Sequence, residues 1–109
     1  MTAPADPDEP LLDLAFEAEV IHWRGPSPYF FATLPAAAAD AVRRVSRAVT
    51  YGWGVIPVEA QVRGVAFTTS LFPKDDGYLL PLKDAVRRAA DVTAGDTVGI
   101  GMIVRPPRR

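Results

Sequence analysis

Asp40-Ala41-Val42-Arg43-Arg44 recurs letter for letter as Asp84-Ala85-Val86-Arg87-Arg88, 44 residues further along a chain of 109. Outward from this pair, one succession of elements appears twice. Upstream of the first copy, Leu14 to Trp23 alternates, with Leu14, Phe16, Ala18 and Val20 on one face and Glu17 and Glu19 on the other. That is the period of a half-buried strand. Arg24-Gly25-Pro26-Ser27-Pro28 is a turn by composition, and Tyr29 to Leu34 reads as a second strand. Pro35 opens a helix in which Ala38, Val42, Val45 and Val49 recur at helical spacing. Gly52-Trp53-Gly54 ends it and launches a strand with Ile56, Val58, Ala60 and Val62 facing one way. Past a turn at Arg63-Gly64, the succession repeats: strand Val65 to Phe72, turn Pro73 to Gly77, strand Tyr78 to Leu82, helix Lys83 to Ala90, turn at Gly95-Asp96, strand Thr97 to Val104. Gly52 and Val55 follow Asp40 by 12 and 15 residues; Gly95 and Val98 follow Asp84 by 11 and 14.

A strand-strand-helix-strand unit used twice implies duplication and a pseudo-twofold axis. Three strands and one helix cannot cover both faces of their own sheet. The halves are therefore expected to pair into a mainly β fold, a small closed barrel of about six strands with two short helices and no long free edge.

Composition fits one domain and removes several function classes. The chain has 12 Lys+Arg, 13 Asp+Glu, one His and no Cys, for a formal net charge of -1. Without cysteine there is no disulfide scaffold, thiol catalysis or Cys-containing zinc site. A near-zero charge argues against a surface built throughout for nucleic acid or anionic membrane. No run approaches the roughly 20 apolar residues of a membrane span, and the start of the chain is acidic where a signal peptide is basic. The expectation is a soluble, cytoplasmic protein, a monomer or weak homodimer.

Charge is uneven along the chain. Residues 1–13 carry Asp6, Asp8, Glu9 and Asp13, no basic residue, and Pro4, Pro7 and Pro10, the composition of a flexible acidic arm. Residues 14–105 then form the barrel domain and 106–109 a tail. Removing the arm's four acids leaves nine against 12 basic residues, a body of net +3. In Arg105-Pro106-Pro107-Arg108-Arg109 the prolines end the last strand and the arginines are expected in solvent.

Leu79-Leu80-Pro81-Leu82-Lys83, Val86-Arg87-Arg88 and Ala94-Gly95-Asp96-Thr97-Val98 resemble the Leu-Pro, helix, Gly-Asp signature of AbrB-like swapped-hairpin regulators and antitoxins, which build a barrel from two chains. With its two halves, this chain resembles a single-chain version, the bacterial domain-of-unknown-function family nineteen-oh-five. The resemblance extends through Phe16 to Trp23, Phe31 to Pro35, Gly52-Trp53-Gly54 with Pro57-Val58, Thr69-Ser70-Leu71-Phe72-Pro73 and Gly77 to Lys83. It implies a double-split β-barrel and no established activity. Members of that family also occur fused to a domain resembling bacteriocin-protection proteins, as a module would.

Resemblance to the AbrB-like regulators places Arg87 and Arg88 on a DNA-facing surface, and the repeat supplies Arg43 and Arg44 as a second pair. Symmetric basic clusters suit a duplex. Against this, Asp40 with Arg44, Asp84 with Arg88 and Arg87 with Asp91 are at i,i+4, where exposed helices place opposite charges. Asp75 and Asp76 also stand where a DNA clamp calls for lysine.

Catalytic constellations are sparse. His22 is the only imidazole; it shares a face with Phe16, Ala18 and Val20 and reads as a core-edge histidine held by a backbone carbonyl. Glu17 and Glu19 read as a solvated face rather than a metal site. Asp75-Asp76-Gly77 is a turn by composition, although one that a cation could order. Ser70 lacks a Gly-x-Ser-x-Gly elbow. Gly99 and Gly101 read as allowing close backbone packing, not as a phosphate loop. No metal or cofactor is expected.

Trp23, Trp53, Tyr29 and Tyr78 fall at strand or turn ends, with Arg24, Lys74 and Lys83 near them in sequence. If the barrel brings the two turns at 24–28 and 73–77 to one mouth, Arg24, Trp53, Lys74, Tyr78 and Lys83 suit an anionic or aromatic ligand. The alternative is that these aromatics simply cap the core. The reading is a non-catalytic binding or interaction module for a small ligand or protein partner, with the DNA-binding regulator as second choice.

Overall fold

The computed structural model describes residues 9–25, 29–49 and 55–106, with the side chains of 47–49 left aside. Its elements are β1 (Leu12–Trp23), β2 (Tyr29–Thr33), α1 (Ala36–Val49), β3 (Ile56–Val62), β4 (Val65–Lys74), β5 (Gly77–Leu82), α2 (Asp84–Ala90) and β6 (Thr97–Val104). The strands close into an antiparallel barrel in the order β1-β2-β5-β4-β3-β6. Exchanging the halves β1-β2-α1-β3 and β4-β5-α2-β6 carries this ring onto itself. The pairing β1·β2 becomes β4·β5, β1·β6 becomes β4·β3, and β2·β5 and β3·β6 each map onto themselves.

The two longest strands close the barrel by changing partner midway. Leu12 to Glu19 of β1 pair with β6 and Val20 to Trp23 with β2; Val65 to Leu71 of β4 pair with β3 and Phe72 to Lys74 with β5. Each runs from one sheet into the other, so no strand is left with a long free edge.

Alternation sets the interior. Ala18 and Val20 of β1, Ile56, Val58, Ala60 and Val62 of β3, and Val98, Ile100, Met102 and Val104 of β6 are buried in one cluster with Ala32, Leu71, Leu80 and Leu82. Val42 of α1 and Val86 of α2 join it at 0% and 7% exposure, and Val45 packs against it. The five-letter repeat is nevertheless out of step with the elements, because Asp84 is the first residue of α2 and Asp40 the fifth of α1. The offset is close to one helical turn, about 3.6 residues, so both valines still face inward.

The Arg63-Gly64 turn has φ of 46° and 80°, the left-handed pair of a tight hairpin, between Val62 and its partner Val65. Arg63 also donates to the carbonyls of Ala90 at 3.2 Å and Asp91 at 2.5 Å, capping the end of α2.

Several boundaries and roles differ from expectation. Leu12 and Asp13 belong to β1, and the Leu11 amide donates to Val104 at 2.7 Å, because β6 extends far enough to pair with them. The helices begin one residue later than expected, with the first i→i−4 bonds accepted by the Pro35 and Lys83 carbonyls. The β4–β5 loop is only Asp75-Asp76, since Lys74 pairs with Gly77. Arg105 is tied to Glu59 at 2.6 Å rather than free in solvent. A Cβ at Gly99 or Gly101 would meet nothing within 4 Å, so these glycines mark open outer surface and not close packing. The Gly52-Trp53-Gly54 stop, the rest of the arm, Pro26 to Pro28 and the last three residues lie outside the described residues.

Candidate binding groove

Outward-facing strand positions gather the exposed aromatics. Trp23, Tyr29 and Phe72 are 48%, 36% and 45% exposed, and all three line one groove of about 1050 Å³. Followed in hydrogen-bonded strand order, its lining runs from Ile103 of β6 with Arg105 and Pro106, through Pro57 and Glu59 of β3 and Thr68, Ser70 and Phe72 of β4, to Pro81 of β5 and Phe31 of β2. Phe31 and Pro81 are cross-strand partners, and Pro81 forms buried floor. Tyr29 and Phe31, two apart on β2, bring their rings to 5.5 Å at 40°.

Position is fixed locally at the Trp23 end. The indole folds back over Gly25, where any Cβ would overlap its Nε1, so glycine is required for this ring placement. Lys74 Nζ lies 5.3 Å from the Trp23 ring centroid, which brings the ends of β1 and β4 together. At the other end, the Arg105 to Glu59 ion pair neutralises the groove's carboxylate.

A second, smaller recess of about 380 Å³ is lined by His22, Tyr29, Phe30, Leu82, Asp84 and Arg87. His22 stacks on Phe30 with centroids 4.4 Å apart and planes 15° apart, while the Arg87 guanidinium carbon lies 3.6 Å from the Phe30 centroid. His22 is thus held by ring stacking, and no backbone carbonyl among the described residues accepts from it. Arg87 also bonds Asp84 at 2.8 Å, and its buried Nε has no acceptor among the described residues.

Of the residues singled out in sequence, Trp23 and Lys74 are brought together, with exposed Arg24 next in the chain. Tyr78 is 8% exposed and belongs to the core, and Lys83 is the exposed residue before α2. Trp53 lies outside the described residues. Arg43 pairs with Asp40 at 2.6 Å and also donates to the Asp76 carbonyl. Both helix pairs are therefore i,i+3, not i,i+4: the guanidinium of Arg43 is drawn to the β4–β5 turn and that of Arg87 to Phe30. Arg44 and Arg88 are exposed, with no ion-pair partner among the described residues. Glu17 and Glu19 face solvent, and the described residues contain no cluster of three metal-ligating side chains. None of their helices is long and apolar enough to cross a membrane.

Sequence reading missed Phe31, Phe72, Pro57 and Pro81 as parts of one surface. The available signal was apolar residues at outward positions: Tyr29 and Phe31 alternate on β2, and Phe72 is out of phase with the inward Leu71.

Residues 16–102 match the family described as a domain of unknown function, DUF1905. The chain belongs to the DUF1905 family. The match takes in β2 to β5 and both helices whole, with β1 from Phe16 and β6 to Met102, and so contains most of the groove of this DUF1905 barrel. No curated protein matches the chain.

Proposed function

We propose that this DUF1905 barrel is a non-catalytic binding module, and that its outer aromatic groove takes an apolar ligand or segment. The observation that carries this reading is the convergence of Trp23, Tyr29 and Phe72 on one concavity, while the inward faces fill the barrel with their own side chains. Exposed aromatic patches with a polar rim are how soluble domains present recognition surfaces. Thr68 and Ser70 add hydroxyls, Lys74 a cation and Glu59 a neutralised carboxylate, enough to orient a ligand. The non-catalytic part of the reading rests on His22 and Ser70 lining different recesses, with the imidazole stacked on Phe30.

The test is titration of the isotope-labelled protein with the dye 8-anilinonaphthalene-1-sulfonate. Amide and indole signals of Trp23, Phe31, Ser70, Phe72 and Ile103 are expected to shift together. Trp23→Ala or Phe72→Ala should weaken binding about tenfold or more while the rest of the spectrum is kept. Shifts scattered over the surface, or binding indifferent to both substitutions, overturn the reading.

A further inference from the structure

We propose that the groove selects aromatic anions, ligands whose flat ring system lies against Trp23, Tyr29 and Phe72 and whose carboxylate, sulfonate or phosphate is taken by Lys74. This rests on the groove being a binding surface, as proposed above, and names the ligand class of that surface.

Strand period puts the cation there. Thr68, Ser70 and Phe72 line the groove at every second residue of β4, and Lys74 is the next position on the same face. Its ammonium lies 5.3 Å from the Trp23 ring centroid, so a cation stands against the groove's aromatic wall. An ammonium carries three donors and a ring engages only one side of it, which leaves donors for an anion.

No carboxylate of the described residues takes that ammonium. Asp75 and Asp76 follow Lys74 in the chain, yet neither pairs with it, and the Asp76 carbonyl accepts from Arg43 instead. Glu59, the carboxylate among the lining residues, is opposite Thr68. That is about 20 Å of strand from Lys74 at 3.3 Å per residue, more than twice the roughly 8 Å over which physiological salt screens a charge. Arg105 already engages both Glu59 oxygens, at 2.6 Å and 3.4 Å. The charge held against the rings is therefore positive, and exposed Arg24 follows Trp23 in the chain as a second cation. The short spacing also sets the ligand's shape. A ring packed on the indole, with about 4.5–7 Å between centroids, brings an anion to the Lys74 ammonium when the anion sits on that ring or one or two bonds from it.

Two probes sharing one ring system test the anion and the groove separately: 8-anilinonaphthalene-1-sulfonate, and N-phenyl-1-naphthylamine, which lacks the sulfonate. With the full-length protein, both are expected to shift the signals of Trp23, Ser70 and Phe72. Lys74→Gln should weaken the sulfonate about fivefold, the upper end for one exposed ion pair, and leave the neutral probe within about twofold. Added salt should weaken the sulfonate in the natural protein and much less in the variant. Equal weakening of both probes means that Lys74 only holds the Trp23 ring in place, and overturns the proposal. Sulfonate affinity unchanged in the variant overturns it as well. The neutral probe still shifting Trp23 and Phe72 in that case leaves the groove standing as a binding surface; failure of both probes to shift them removes both.

Discussion

The guanidinium carbon of Arg87 sits 3.6 Å from the centroid of the Phe30 ring, and the same ring stacks on His22 at 4.4 Å. Two groups at those distances cannot share one face, so the phenyl ring is held between imidazole and guanidinium. The contact ties α2 to the β1–β2 hairpin, although the arginine was legible in sequence only as a surface charge. A cation over an aromatic face, with four-fifths of its side chain out of water, contributes about 1–2 kcal/mol. Arg87→Ala is expected to lower stability by about that amount, and Phe30→Ala by about 2–4 kcal/mol. The double variant should cost less than the sum, read as urea midpoints at constant m. Additive losses would show that the stack carries no energy.

Trp23 depends on Gly25, because the indole occupies the space a Cβ would need. Gly25→Ala should displace the ring and weaken dye binding several-fold while unfolding shifts by about 1 kcal/mol or less. Unchanged affinity would mean that ring placement does not matter to the groove.

Backbone geometry separates two kinds of glycine in this chain. Gly64 has φ +80°, so Gly64→Ala should destabilise by about 1–2 kcal/mol. Gly99 lies in a strand with open space around its missing Cβ, so Gly99→Ala should be neutral or slightly stabilising. Thermal melts of the two variants side by side check the contrast.

Leu80 is fully buried, opposite Ala32 where β2 and β5 meet. Leu80→Ala is expected to cost about 2–5 kcal/mol, a large share of the stability of a domain this size. Denaturant titration gives the value. A loss below about 1 kcal/mol would mean that the barrel interior collapses to fill the space.

Arg44 and Arg88 are the helix arginines that make no ion pair among the described residues, so they give the cleanest test of the DNA-binding alternative. Anisotropy of a labelled mixed-sequence duplex is expected to show no binding that weakens steeply with salt. Steep salt dependence, lost in the Arg44→Ala, Arg88→Ala variant, would put the regulator reading first.

Much of the fold was readable from local pattern. Alternation in Leu14 to Val20 and Ile56 to Val62 fixed which side chains of β1 and β3 enter the barrel, because a strand's faces follow from chain geometry with period two. The repeat around Val42 and Val86 announced two similar halves, and two halves with open edges imply closure.

What local pattern left open depends on distances between residues far apart in the chain. Arg87 finds Phe30, Arg43 finds the Asp75-Asp76 turn and Arg105 finds Glu59 only once the strands are ordered β1-β2-β5-β4-β3-β6. The groove arises the same way. Each of Trp23, Phe31 and Phe72 is, on its own strand, one outward apolar side chain of a kind common on any surface, and Pro81 is one proline in an apolar strand. The sequence determined that Trp23 and Phe72 point outward, since that follows from strand period alone in β1 and β4. Only the tertiary structure decided that they point into the same concavity, because that depends on β1 and β4 crossing between sheets and bringing outer faces together.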